Sequence, residues 1–200
     1  MDNLLWPLER RHPLLPDEPG QFGIARKNDV HTGVDLYAEI NDHVVAMEDG
    51  TVVLIEPFTG AHVVQEADKS PWWNDTWAVL VEGKSGVIAY GEVFPCVETG
   101  IKVRAGERIG QVIPVLRTFK GRPMVMLHLE LMRHGSRSTV WWRNGDPKPD
   151  CLIDPMPLLL SSAGSHATTF DMDLYDGIQF RDPTAKMNIQ YKFGARLRRA

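Results

Sequence analysis

Seventeen glycines and 14 prolines are spread through the 200 residues, and no stretch keeps the apolar spacing of a long amphipathic helix. Between these breaks lie apolar runs of three to eight residues. Val44-Val45-Ala46, Thr51–Ile55, Ala78–Val81, Val87–Tyr90, Ile109–Val115 and Met124–Leu131 read as strands. Turn signals such as Asp49-Gly50, Glu82-Gly83-Lys84-Ser85-Gly86 and Ala105-Gly106 separate them. Many short strands with closely spaced turns predict an all-β sandwich or barrel.

Charge and composition exclude several classes. With 22 basic and 26 acidic residues the net charge is −4, so no basic field argues for nucleic acid or an anionic membrane surface. No apolar run approaches the ~20 residues of a membrane-spanning helix. The opening stretch MDNLLWPLERRHPLL does not read as a signal peptide, because Asp2 is acidic and the run Leu4–Leu8 is short and carries Pro7. The expectation is a cytoplasmic protein released by lysis, or one carried on a virion. Cys96 and Cys151 are 55 positions apart without a CxxC pair and read as unpaired thiols.

After Leu160 the composition shifts. Ser161-Ser162-Ala163-Gly164-Ser165 is linker-like, and residues 161–200 carry 6 basic against 4 acidic side chains. The expected organisation is a lead segment (1–21), one β domain (22–160), and a linker with a basic extension (161–200) suited to a protein partner.

Two elements carry chemistry. The first is His31-Thr32-Gly33-Val34-Asp35. Roughly 0.5 HxxxD matches are expected by chance in such a chain, so context must lift it. Gly33 permits a close backbone approach, and imidazole and carboxylate both suit zinc. The second is Met126-Leu127-His128-Leu129-Glu130-Leu131, where strand alternation aims Met126, His128 and Glu130 at one space. The plain alternative is a polar pair on a solvent face.

These elements, in order with Val45-Ala46, Asp49-Gly50-Thr51-Val52, Tyr90-Gly91-Glu92-Val93, Val103–Gln111 and Asp154-Pro155, resemble the lysostaphin/LytM-type zinc endopeptidases that cut peptidoglycan cross-links. The resemblance covers about Phe22 to Leu160. It implies a compact β-sheet sandwich of the duplicated hybrid-motif type holding one Zn²⁺. It makes His31, Asp35 and His128 the metal ligands and leaves one position open for water. Glu130 would orient a ligand or a strand neighbour. Where the family carries its two usual catalytic histidines, this sequence has Glu92 and Met126. Glu92, ionised at its ordinary pKa of ~4.3, could serve as general base; alternatively it binds the metal and closes the site. Met126 can do neither. His43, His62 and His134 are other imidazoles that could stand in for the missing pair.

Trp72, Trp73 and Trp77, and Trp141 and Trp142, lie in or beside two polar segments that could wall a groove. Of these, Trp72, Trp73, Trp141 and Trp142 are the weaker substrate-binding candidates. The functional expectation is a zinc metalloendopeptidase directed at peptidoglycan peptides, phage-associated, with Glu92 as base. The alternative is a catalytically inactive binding or structural module on the same fold. Val103–Val112 also matches a phrase of biotinyl and lipoyl carrier domains, but no lysine sits at a hairpin tip in their manner.

Overall fold

A computed structural model describes residues 4–8, 20–27, 29–60, 73–117 and 124–162. Among them the apolar runs pair into one antiparallel sheet. Its strands are β1 (Val34–Tyr37), β2 (His43–Val45), β3 (Gly50–Thr59), β4 (Thr76–Gly83), β5 (Val87–Pro95), β6 (Lys102–Val103), β7 (Arg108–Val112), β8 (Met126–Met132) and β9 (Leu152–Ile153). The main path runs β1-β8-β5-β4-β3-β6, with β7 bridging β2 to β5 and β9 added to β8. One short helix, α1 (Met156–Ser161), follows β9. All six strand readings fall on observed strands, with ends moved by a few residues. The sequence patterning assigns no strand to β1, β6 or β9 and no helix to α1.

Both faces of the central strands are buried, which makes the all-β reading a two-layered one. Val79, Val81, Ile88, Tyr90, Leu127, Leu129 and Leu131 point into the larger core beside Val44, Met47, Ile109 and Leu159. Ala78, Leu80, Val87, Ala89 and Met132 point the other way, with Leu152, into a smaller one. The two sets follow the strand period of two. Each fully buried Val, Leu or Ile adds about 1.5–3 kcal/mol. Trp6 and Leu8 also enter the larger core, and Leu8 bridges to Val44. Cys96 and Cys151 are unpaired thiols. Residues 163–200, hence nearly all of the basic extension, lie outside the described residues, as do His62 and Trp72.

His128 and Glu130 lie on the face of the smaller core. Opposite them on β5 stand Gly91 and Ala89, whose small side chains leave room. The solvent-face alternative is therefore incorrect: His128 is 6% exposed and Glu130 only 1%. The reason is cover from two sides. The His31 ring packs 4.8 Å from the His128 ring, and Phe58 of β3 packs 5.2 Å from it on another side.

One irregularity in β5 decides what else reaches this face. Tyr90 pairs with Val79 and Val93 with Trp77, so β5 carries one more residue than β4 across this interval. That is a β-bulge. Simple alternation would put Glu92 on the Tyr90 face, in the larger core. Instead Glu92 takes a left-handed backbone conformation (φ 63°) and its carboxyl meets Thr76 on the smaller-core side. For a residue with a Cβ this conformation costs about 1–2 kcal/mol.

Gly33 is explained by space, since its φ is ordinary. A Cβ there would lie 2.3 Å from the Leu129 carbonyl oxygen and 2.8 Å from His128 Nε2. Gly33→Ala is expected to cost about 1–3 kcal/mol through overpacking against backbone that cannot yield. Urea unfolding measures this; unchanged stability would show that β1 and β8 separate freely.

Candidate metal centre

The segment before β1 delivers the first candidate donor, His31. Residues 20–25 run beside 30–35, with Gly23 N donating to the His31 carbonyl (2.9 Å), His31 N to Ile24 (2.9 Å) and Asp35 N to Gly20 (2.8 Å). This pairing fixes His31 and Asp35 at either end of a short turn. The antiparallel register of β1 on β8 then sets Asp35 directly opposite His128.

Three donor atoms meet at one point. His31 Nε2 lies 3.1 Å from Asp35 Oδ1 and 3.0 Å from His128 Nδ1, and His128 Nδ1 lies 2.9 Å from Asp35 Oδ1. Among the described residues this is the one cluster of three or more His, Cys, Asp or Glu with metal-holding geometry.

The second atom of each group explains why the first points inward. His31 Nδ1 donates to the Gln21 carbonyl at 2.8 Å, so Nε2 carries the lone pair. His128 Nε2 faces Glu130 Oε1 at 3.2 Å, which frees Nδ1 to face the cluster. Arg26 donates to Asp35 Oδ2 at 2.7 Å and leaves Oδ1. Thr32 in turn donates to Glu130 Oε1. Each ligand is thus oriented by a neighbour outside the triangle, the arrangement that metal-binding imidazoles commonly have.

Three acceptors 3 Å apart repel unless a cation sits among them. Burial holds His31 below its ordinary pKa, so that ring stays neutral near pH 7. Burial would raise Asp35, but the hydrogen bond from His128 and the nearness of both imidazoles hold it far below the carboxylate range. Burial likewise opposes charge on His128, yet acceptance by Asp35 and Glu130 outweighs it and lifts that ring to about 10. A proton on His128 Nδ1 is therefore one cation the triangle can hold. A metal ion is the other, and it must displace that proton.

Two imidazole nitrogens and one carboxylate oxygen fit zinc. Bonds of 2.0–2.2 Å in tetrahedral geometry imply ligand–ligand edges of about 3.3–3.5 Å, so the triangle need open by only a few tenths of an ångström.

Glu92 lies outside the three-residue cluster. It is 6% exposed, and its Oε2 accepts from Thr59 Oγ1 (2.9 Å) and Thr76 Oγ1 (2.8 Å). Burial pushes its carboxyl up to about 7, against the lowering effect of the two hydroxyls. In the metal-free protein its acidity is therefore weaker than the ordinary carboxylate value from which full ionisation is expected.

Met126 is half-buried at the start of β8. It has no proton to transfer. Its neighbourhood gains no histidine from His134, which lies beyond the far end of β8, is exposed, and approaches Glu82 at 3.6 Å. His43 sits on β2 against Gln111 of β7 and is outside the cluster.

The tryptophans divide. Trp142 packs 6.0 Å from Phe22 and its Nε1 donates to the Asp146 carbonyl, so its ring is occupied in packing. Its own carbonyl accepts from Val30 N, which brings residues 141–142 alongside His31. Trp141 is 71% exposed and Trp73 39%. Trp77 meets Phe94 edge-on at 5.5 Å.

The sequence reading named all three cluster members and Glu130. It missed Arg26, Phe58, Thr59 and Thr76, and it gave Thr32 no role. None of the missed residues has a diagnostic spacing. The one available hint was that Thr59 and Thr76 flank the polar segment that interrupts two strand signals.

No protein-family model matches the chain, and no curated protein matches it. Its fold resembles several solved structures. The catalytic domain of lysostaphin from Staphylococcus simulans is 20% identical, with 71% of this chain covering 90% of that one at a TM-score of 0.44. A zinc-containing peptidase from Vibrio cholerae is 20% identical over 64% of this chain and 36% of that chain, TM-score 0.42. A variant catalytic domain of the prophage-encoded M23 protein EnpA from Enterococcus faecalis is 17% identical over 76% and 95%, TM-score 0.45. The chain spans little more than a third of the Vibrio protein.

Two outcomes follow from the geometry. Glu130→Leu removes the acceptor that orients His128 and should weaken zinc binding about 10–100-fold by competition titration with a chelating dye; unchanged affinity would deny Glu130 that role. The second concerns stability. A carboxyl with a folded pKa raised to about 7 stabilises the protein fully below the unfolded value of 4.5, and that contribution is lost as pH rises through 7. Metal-free Glu92→Gln should therefore gain on the wild type between pH ~4.5 and ~7, by up to about 3 kcal/mol. Parallel stability curves across that range would contradict the buried acid.

Proposed function

We propose that the protein is a zinc-dependent endopeptidase that cuts peptide cross-links of peptidoglycan, with Glu92 as its proton-transfer group. One observation carries the reading: three side-chain donors converge within 3.1 Å while a separate buried carboxyl stands outside them. A structural site would enlist Glu92 as a fourth ligand. Here Glu92 is tied to threonines instead, which keeps it available for proton transfer and would leave a position open to water on a zinc held by the other three residues.

His31, Asp35 and His128 would hold the zinc, which supplies Lewis acidity to a scissile carbonyl and acidifies a coordinated water. Glu92 accepts the water's proton as a carboxylate and returns it, as the neutral acid, to the departing amine. In the metal-free protein burial raises this carboxyl above its ordinary range, which favours return of the proton to the amine. A cation held by the nearby triad favours the carboxylate and readies the base. Glu92 cannot donate to a developing oxyanion, and Met126 cannot replace that donor. A rate about 10²–10³-fold below that of a site with such a donor is expected. The cross-link specificity that exposed Trp141 could confer, and a phage source, belong to the same proposal.

The test is zinc-loaded protein on purified peptidoglycan, followed by release of new amino termini. Cleavage that falls about 10²–10⁴-fold in Glu92→Gln, with zinc still bound, is the expected result. Intact peptidoglycan in the presence of the zinc-loaded wild type would instead favour a binding module. Equal cleavage by Glu92→Gln would remove Glu92 from the mechanism.

A further inference from the structure

Glu92 is anchored by a device that metal binding does not require. Thr59 and Thr76 face each other across β3 and β4, and their hydroxyl oxygens are 2.7 Å apart. Both reach Glu92 Oε2, and Thr59 N donates to Thr76 Oγ1 at 3.2 Å. Thr76 is fully buried. Among the described residues, no hydrogen bond occupies Glu92 Oε1. One carboxyl oxygen is therefore locked and the other is left for exchange.

The bulge and the threonines depend on each other. The left-handed turn at Glu92 brings its side chain to the Thr76 face, and the two hydroxyls are what it meets there. A strained backbone persists only where surrounding contacts hold it. Two hydroxyl donors on one oxygen favour the carboxylate, whereas burial favours the neutral acid. The charged groups Glu92 also feels are His128 of β8, which favours the carboxylate, and Asp35 of β1, which opposes it.

We propose that Thr59 and Thr76 are positioning residues: their paired hydroxyls anchor Glu92 Oε2 and hold the carboxyl ready to exchange a proton through Oε1. This rests on Glu92 being the proton-transfer group. In the forward step an O–H bond of water breaks, its proton bonds to Oε1, and the freed oxygen electron pair forms the bond to the carbonyl carbon while the C=O π pair moves onto the carbonyl oxygen, to re-form the C=O bond when the amine leaves. As the C–N bond breaks, the same proton passes from Oε1 to the amine nitrogen. The carboxylate is restored, still held at Oε2.

The experiment uses Thr59→Val and Thr76→Val, which keep side-chain shape and remove the hydroxyl, beside Thr59→Ser and Thr76→Ser, which keep it. Ionisation of Glu92 is followed in metal-free protein by infrared carboxyl absorption, identified by difference from Glu92→Gln. Each valine variant should raise the ionisation midpoint by about one pH unit, and each serine variant should restore it. In the zinc-loaded protein the valine variants should lower kcat about tenfold or more at unchanged KM and zinc content, and move the acidic limb of the pH profile upward. An unmoved midpoint in both valine variants overturns the proposal, as does failure of both serines to restore it in folded protein. If Glu92→Gln abolishes cleavage while the valine variants match the wild type, the anchoring proposal alone fails. If Glu92→Gln cleaves normally, the assignment of Glu92 fails first and the proposal with it.

Discussion

The largely enclosed carboxylate of Asp35, its side chain 9% exposed, is the contact on which the site depends. Its Oδ1 stands within hydrogen-bonding distance of two imidazole nitrogens that are themselves 3.0 Å apart. Three such atoms would repel each other in a low-dielectric interior without a cation between them. Everything around them holds them together. Arg26 takes the other oxygen of Asp35, the Gln21 carbonyl takes His31 Nδ1, and Glu130 faces His128 Nε2. Glu130 Oε2 itself is buried without a hydrogen-bond partner, a further sign that this cluster carries cost for a purpose beyond stability.

The sheet serves that cluster by making space. Gly91 and Ala89 on β5 lie opposite His128 and Glu130, and Gly33 lets β1 close on β8. A Cβ on Gly91 would stand 2.7 Å from the Phe58 ring, which itself packs on His128. Small residues in the strands and one large aromatic ring over them thus set the position of the second imidazole. The larger core lies on the opposite face of the sheet.

Much of this was legible in the sequence. The strand period of two and the glycine punctuation placed the six main strands. Alternation in Met126–Leu131 put His128 and Glu130 on one side, and the resemblance carried by the ordered motifs, not the His31–Asp35 spacing alone, singled out the other two candidate donors. What was not legible depended on tertiary register. Glu92 would read as a core-facing residue of a regular strand; the extra residue in β5 turns it to the other face, and glutamate is not a residue that signals a left-handed turn. Burial raises its pKa, and the two hydroxyls that counter this, on Thr59 and Thr76, are brought together only by the pairing of β3 with β4. Arg26 reaches Asp35 across a turn whose pairing no local pattern announces.

The most direct test of the central claim is X-ray absorption at the zinc edge of the metal-loaded protein. The account predicts one zinc per chain with two imidazole nitrogens and carboxylate or water oxygen at about 2.0–2.2 Å, and a spectrum that loses one imidazole in His128→Ala. A shell containing sulfur from Cys96 or Cys151, or one unchanged by that substitution, would mean that the three converging donors do not hold the metal.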